Sequence, residues 1–294
     1  MKKILFLSVL FSSFAYSQGC SDAGICTMSN LKPNEMQTLS NTIKVGFNYG
    51  AADNDVNVLG SYLEYQRVFN EKWSVAAKLT YFSQNNDDFS SSSLADLYLS
   101  TNYSINSKTK ATVGLKVPFT DGNLKENGVP LPMDFQPSLG TYDLILGVSH
   151  QYKNFNFVVA YQQPLTQNNN QYTIYPTLVA TNIPYLNTNN FKRAADVLAR
   201  VTYNWELNDK FTLKPSVLPI YHLAKDKTTD FVGNEYEIEG SDGLTLNTNV
   251  FLNYALNAKS NLEFSFGVPF VVREVRPDGL TRSMVLNLQY AYSF

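Results

Sequence analysis

The sequence predicts an all-β chain, an antiparallel transmembrane β-barrel of about twelve strands, and three observations predict it. Apolar and polar residues alternate with period two from Thr42 to the C-terminus. The connections alternate too, tight on one side and long on the other, as in outer-membrane barrels. The apolar face of most of these stretches carries almost no charge over its whole length.

The elements follow in order. About twelve alternating stretches begin near residues 42, 56, 71, 94, 109, 140, 154, 194, 210, 242, 259 and 281. The last is the clearest: Met284, Leu286, Leu288, Tyr290, Tyr292 and Phe294 point one way, and Val285, Asn287, Gln289, Ala291 and Ser293 the other. Val197 to Leu207 and Ala111 to Phe119 behave alike. Five tight connections carry Asn with Lys: Asn70-Glu71-Lys72, Asn106-Ser107-Lys108, Lys153-Asn154, Asn208-Asp209-Lys210 and Asn257-Ala258-Lys259. Longer polar loops are expected at 51–55, 84–93, 120–139, 167–193, 225–241 and 272–280. An even strand count leaves both termini with the tight turns, on the periplasmic side.

A soluble sandwich or secreted barrel would carry its charges outward. Here they gather opposite the apolar face, where Lys44, Glu64, Lys78, Asp96, Lys116, Asp143, Asp196, Arg200, Glu206, Lys214 and Glu263 are read as lining a wet lumen. A lipid-facing Lys or Arg would cost about 2–4 kcal/mol at mid-membrane. Arg67 is the exception left open, because Tyr62 and Leu63 compete for the phase of its strand.

Composition agrees. The 294 residues hold 44% apolar and 14% aromatic residues but only 16% charged ones, below the roughly 25% of soluble proteins. So apolar a chain is not disordered. It has no apolar run of ~18 residues for a membrane helix. A net charge of −2 favours no nucleic-acid partner.

Residues 1–17 read as a secretory signal: Lys2 and Lys3, then an apolar stretch from Ile4 to Ala15 too short to span, then Ala15-Tyr16-Ser17 as a cleavage site. Residues 18–40 are then a polar segment with a cysteine pair, either plugging the lumen or hanging in the periplasm, and residues 41–294 are the barrel. In an oxidising compartment Cys20 and Cys26 are expected to pair as a local disulfide, worth about 2–2.5 kcal/mol by loop closure. A Cu(I) site from Cys20, Asp22, Cys26 and Met28 is an alternative. Lipid modification of Cys20 is another, although Ser17 stands where an aliphatic residue is wanted.

Two features carry a resemblance. The ending Tyr290-Ala291-Tyr292-Ser293-Phe294 resembles the signal by which the outer-membrane insertion machinery recognises its clients. Gln136-Pro137-Ser138-Leu139-Gly140-Thr141-Tyr142-Asp143, followed by Leu144-Ile145-Leu146-Gly147, resembles transporter-type barrels named for the meta-pathway of phenol degradation, relatives of the long-chain fatty-acid channels. The start Gln18-Gly19-Cys20 through Cys26 resembles secreted barrels of Bacteroidetes-type bacteria. The resemblance implies uptake of small, apolar or aromatic molecules and carries over no substrate ligand.

Catalysis needs a poised acid, base or nucleophile, and the chain is poor in them. His150 falls on the lipid face near a periplasmic turn. His222 lies near the outer end of its strand, and Asp87-Asp88 in a polar loop. No metal-spaced cluster or phosphate loop occurs, so no enzyme and no cofactor are expected. Twelve strands ~4.8 Å apart and tilted ~40° give a wall ~24 Å across and a bore of roughly 12 Å. Uptake of a small solute, passive or gated, is the leading expectation. A surface-exposed structural or partner-binding barrel is the alternative, and a dense, interlocked interior would favour it. Finally, Pro118, Pro164, Pro219 and Pro269 each fall about ten residues after a tight turn. They are read as rim prolines that end their strands or weaken pairing near the outer mouth. Pro219 faces inward with the others only if a bulge near Pro215 shifts its register.

Overall fold

A computed structural model describes residues 28, 31–32, 41–175, 184–279 and 282–294. Twelve long strands form one antiparallel meander: β1 (Asn41–Ala52), β2 (Asn57–Val68), β3 (Trp73–Asn85), β4 (Ser90–Ser104), β5 (Thr109–Pro118), β6 (Asp143–Tyr152), β7 (Phe155–Pro164), β8 (Asp196–Tyr203), β9 (Phe211–His222), β10 (Gly243–Ala255), β11 (Ser260–Val271) and β12 (Arg282–Ser293). Trp205–Glu206 prolongs β8 past a break at Asn204. Each strand pairs with its chain neighbours, and β1 pairs with β12 from Thr42↔Ser293 to Ala52↔Arg282. That last pairing leaves no edge, so the sheet is a closed barrel.

Four of the five tight turns share one device. Asn70 Oδ1 accepts from the N–H groups of Lys72 and Trp73, and Asn106 does the same for Lys108 and Thr109, and Asn208 for Lys210 and Phe211. An Asn side chain thus mimics a backbone turn and closes the hairpin cheaply. The device also stands at the other end. Asn86 Oδ1 accepts from Asp88 and Phe89, so the expected loop 84–93 is a tight turn and its serines belong to β4. The expected loop 51–55 is likewise a single turn at Asp53–Asp55.

The faces separate cleanly. Phe47, Leu63, Val113, Val148, Val159 and Leu288 stand exposed on the outside. In β2, Tyr62 points in and Leu63 out, which settles the open phase: Arg67 is on the outer face, one residue from the strand end, 5.3 Å from the Phe69 ring centroid. Aromatic rings gather at the tight-turn end, with Trp73 4.8 Å from Tyr103, Phe155 5.0 Å from Tyr203 and Phe211 4.6 Å from Tyr254. Tyr290, Tyr292 and Phe294 are exposed there too.

The remaining long loops send apolar residues back into the mouth, although residues 231–237 stand exposed. Residues 119–142 turn back into the mouth, where Gln84 Nε2 donates to the Asp134 carbonyl and Ser91 Oγ to that of Phe135. Phe135 then packs with Val56, Val58, Leu131 and Tyr185, while Met133 and Leu139 pack with Phe191 and Ile238. Apolar residues from four loops thereby cap the barrel.

Candidate functional site

The interior is the candidate site. Its charged residues come from alternate positions of strands whose other face is apolar, so period two alone delivers them inward. Lys44, Lys78, Asp96, Lys116, Asp143, Asp196, Arg200, Lys214 and Glu263 are all buried within the barrel. Glu206 is not: beyond the break at Asn204 it sits exposed at the tight-turn rim, opposite Thr212.

These residues are interlocked rather than spread along an open bore. Lys44 Nζ lies 3.6 Å from Glu64, and Lys116 Nζ lies 2.9 Å from Asp143. Lys116 also donates to Thr141 Oγ1 at 3.0 Å, whose hydroxyl donates to Asp143 Oδ1 at 2.6 Å. Ser138 Oγ donates to Asp96 Oδ1 at 2.7 Å. Lys78 Nζ lies 3.7 Å above the Tyr62 ring, and the Tyr62 hydroxyl donates to Gln289. The segment Ser138 to Asp143, singled out by resemblance, is therefore the piece of loop that docks on Asp96 and Lys116.

One side of the wall is different. Ile145, Val158, Ala160, Leu198, Leu218 and Ile220, from β6 to β9, form an apolar inner surface, and the residues covering it are Met28 and Leu31. Two inward glycines make room for them. A Cβ on Gly114 would stand 2.6 Å from Met28 Cε, and one on Gly147 would stand 2.7 Å from Leu31 Cδ2. Arg200 Nη1 donates to the Leu31 carbonyl at 2.6 Å. At these residues the N-terminal segment lies inside the barrel. Residues 1–17, Cys20 and Cys26 fall outside the described residues.

A second cluster, absent from the sequence reading, lies under the loops. Arg193 pairs with Asp196, Arg273 Nη2 lies 2.9 Å from Asp278, and His222 bridges Asp196 Oδ1 at 2.7 Å and Asp226 Oδ1 at 2.8 Å. Both ring nitrogens of His222 meet carboxylates, so both must donate and the ring is an imidazolium. Three positive groups then balance three carboxylates. Burial alone would raise the Asp278 carboxyl, but Arg273 and Arg193 outweigh it and hold it well below the usual carboxylate range. Asp134 forms no ion pair among the described residues, and burial pushes it up to about 6. His222 is thus consumed in a loop lock. Asp88, expected in solvent, accepts from the Tyr185 hydroxyl at 3.1 Å.

The prolines part company. Pro118 and Pro164 end β5 and β7 and face inward, as Pro269 does. Pro219 faces outward, and β9 runs to His222 with unbroken register to β10 through both Pro215 and Pro219. No bulge shifts it. Instead the β8–β9 ladder skips Ala199–Arg200 opposite Leu218–Pro219, and skips again opposite Lys214–Pro215. Both prolines turn their missing N–H towards β8.

No family model matches the chain, and no curated protein matches it. Among solved structures, it is similar to the NanC porin (12% identity over 87% of this chain and 99% of that one, TM-score 0.47). It is similar to the Ralstonia pickettii toluene transporter TbuX (11%, 88% and 90%, 0.43) and to the translocator domain of the autotransporter NalP from Neisseria meningitidis (10%, 90% and 91%, 0.48). The likeness is of barrel to barrel and goes no further. What the strand pairing itself defines is a closed twelve-stranded antiparallel β-barrel, apolar outside and polar within, capped by its loops.

Proposed function

We propose that the chain is an outer-membrane channel for the uptake of a small molecule, closed at rest by its N-terminal segment. The apolar outer belt and the aromatic rings at the tight-turn end, with the export signal expected at residues 1–17, support a membrane setting, with tight turns in the periplasm and long loops outside. The observation that carries the reading is Met28 and Leu31 seated on the inner wall over Gly114 and Gly147. A segment seated there would narrow the bore, and, held by side-chain contacts, would be able to leave without unfolding the wall. The apolar surface beneath it would suit the small, apolar or aromatic solute that the resemblance implies.

A structural or partner-binding barrel is the second reading, and the interlocked interior favours it: paired lumen charges stiffen a wall without conducting. Solute uptake by liposomes separates the two. Proteoliposomes carrying the chain should swell faster in small apolar solutes than empty vesicles, and faster still after deletion of residues 18–40. Swelling equal to that of empty vesicles in both cases would favour the structural reading.

A further inference from the structure

Among the described residues, the buried carboxylates of the lumen are matched with care, except one. Asp143 has Lys116, Asp196 has Arg193 and His222, and Asp96 receives hydroxyls from Ser138 and Tyr98. Glu263, on β11, is 4% exposed, and its Oε2 accepts only the side-chain amide of Asn253 at 2.9 Å. Its Oε1 has no hydrogen-bond donor, and among the described residues no Lys, Arg or His lies within ion-pair distance of it. Asn253 on β10 is itself 6% exposed, and the amide oxygen left over from that bond is unpartnered too. Asn261, two residues before Glu263 and on the same face, adds a third unpartnered oxygen. All three stand near the tight-turn end, where Ala255 pairs with Asn261 and Asn253 with Glu263.

We propose that Glu263, Asn253 and Asn261 form a binding site for a small monovalent cation, either an alkali ion or a primary ammonium group. A buried carboxylate with a vacant oxygen needs a positive partner or a proton, and here Oε1 has no donor while the unpartnered amide oxygens of Asn253 and Asn261 add only acceptors. Oxygen-only ligands suit a hard cation. One formal negative charge, with no group of three or more acidic, His or Cys residues among the described residues, matches a single positive charge better than a divalent one. Tyr62, whose hydroxyl is committed to Gln289 across the neighbouring strand, leaves the carboxylate to the ion. The site requires only that ions reach the lumen, so it stands or falls apart from solute uptake.

Thermal unfolding of the full chain in detergent tests it at constant ionic strength, with potassium chloride or methylammonium chloride against N-methyl-D-glucamine chloride, whose cation is too bulky to enter. The midpoint should rise by about 2–4 °C, saturably, in potassium, in methylammonium or in both, and the pattern tells an alkali ion from an ammonium group. Glu263→Gln should unfold at one temperature in all three salts. Asn253→Ala, which keeps the charge, should need several-fold more cation for the same rise, and it decides the matter if Glu263→Gln fails to fold. Equal midpoints for the wild type in all three salts, or a cation response kept in full by the variants, would overturn the site. Cation binding without solute uptake would leave the site intact and remove the channel.

Discussion

Arg200, on β8, donates from Nη1 to the main-chain carbonyl of Leu31 at 2.6 Å, tying the wall of the barrel to a residue 169 positions earlier in the chain. A charged donor on a buried carbonyl is worth about 1.5–3 kcal/mol, enough to keep a short segment seated and little enough to let it go. Arg200→Ala should therefore loosen the segment without harming assembly. Gly147→Val should do the same by steric means, because its side chain would enter the space of Leu31 Cδ2. Protease access to residues 28–32 in folded protein checks both. Unchanged resistance in both variants would mean that these contacts do not hold the segment.

The β8–β9 seam is the weak line of the wall. Pro219→Val supplies the N–H that Pro219 lacks opposite Ala199 and should add about 0.5–1.5 kcal/mol to the barrel. Hydrogen exchange at the amides of residues 198–202 should slow. No change there would mean that the gap has another cause than the proline.

Arg193→Met removes one partner from a buried, balanced cluster and leaves Asp196 and Asp278 short of a cation. Such a change costs about 3–5 kcal/mol, here drawn from the loop cap rather than the strands. Limited proteolysis should cut between 223 and 242 while the barrel keeps its folded mobility on unheated gels. Loss of the folded barrel itself would show that the cluster holds the wall.

The cap should also respond to pH. Asp134 titrates near 6 when folded against 3.8 when unfolded, so the folded cap takes up a proton and loses stability as pH rises through about 6. Asp278 is depressed, so its contribution is present above its unfolded value and lost as pH falls below 3.8. The cap is tightest near pH 4, where Asp278 is already mostly ionised in both states and Asp134 still holds its proton when folded. Asp134→Asn should abolish the loss between about pH 4 and pH 6, about 1–2 kcal/mol for a partly exposed carboxyl. Exchange rates at residues 131–136, corrected for their intrinsic pH dependence, read it directly. A loss over that range that survives in Asp134→Asn would assign it to another group.

Strand positions and faces were legible because a barrel wall obeys one short-range rule, and the turn asparagines marked its corners. What stayed hidden is long-range. Leu131, Met133, Phe135, Phe191 and Ile238 are scattered singly through polar loops, with no period to show that they meet. Arg193, His222, Arg273 and Asp278 come together only when the barrel closes. Serines 90 to 93 read as loop because their strand has little to bury. The direction of a proline's missing N–H depends on which neighbour each position of β9 faces, and alternation of side chains is silent about that. Glu206 kept the phase of the lumen residues but lies past the end of the enclosed wall.

The most direct measurement of the channel reading is single-channel conductance in planar bilayers, comparing the full chain with a chain lacking residues 18–40. The full chain should give little or only brief conductance and the shortened one stable openings, with Gly147→Val between them. A shortened chain that assembles as a folded barrel and passes no current would contradict that reading.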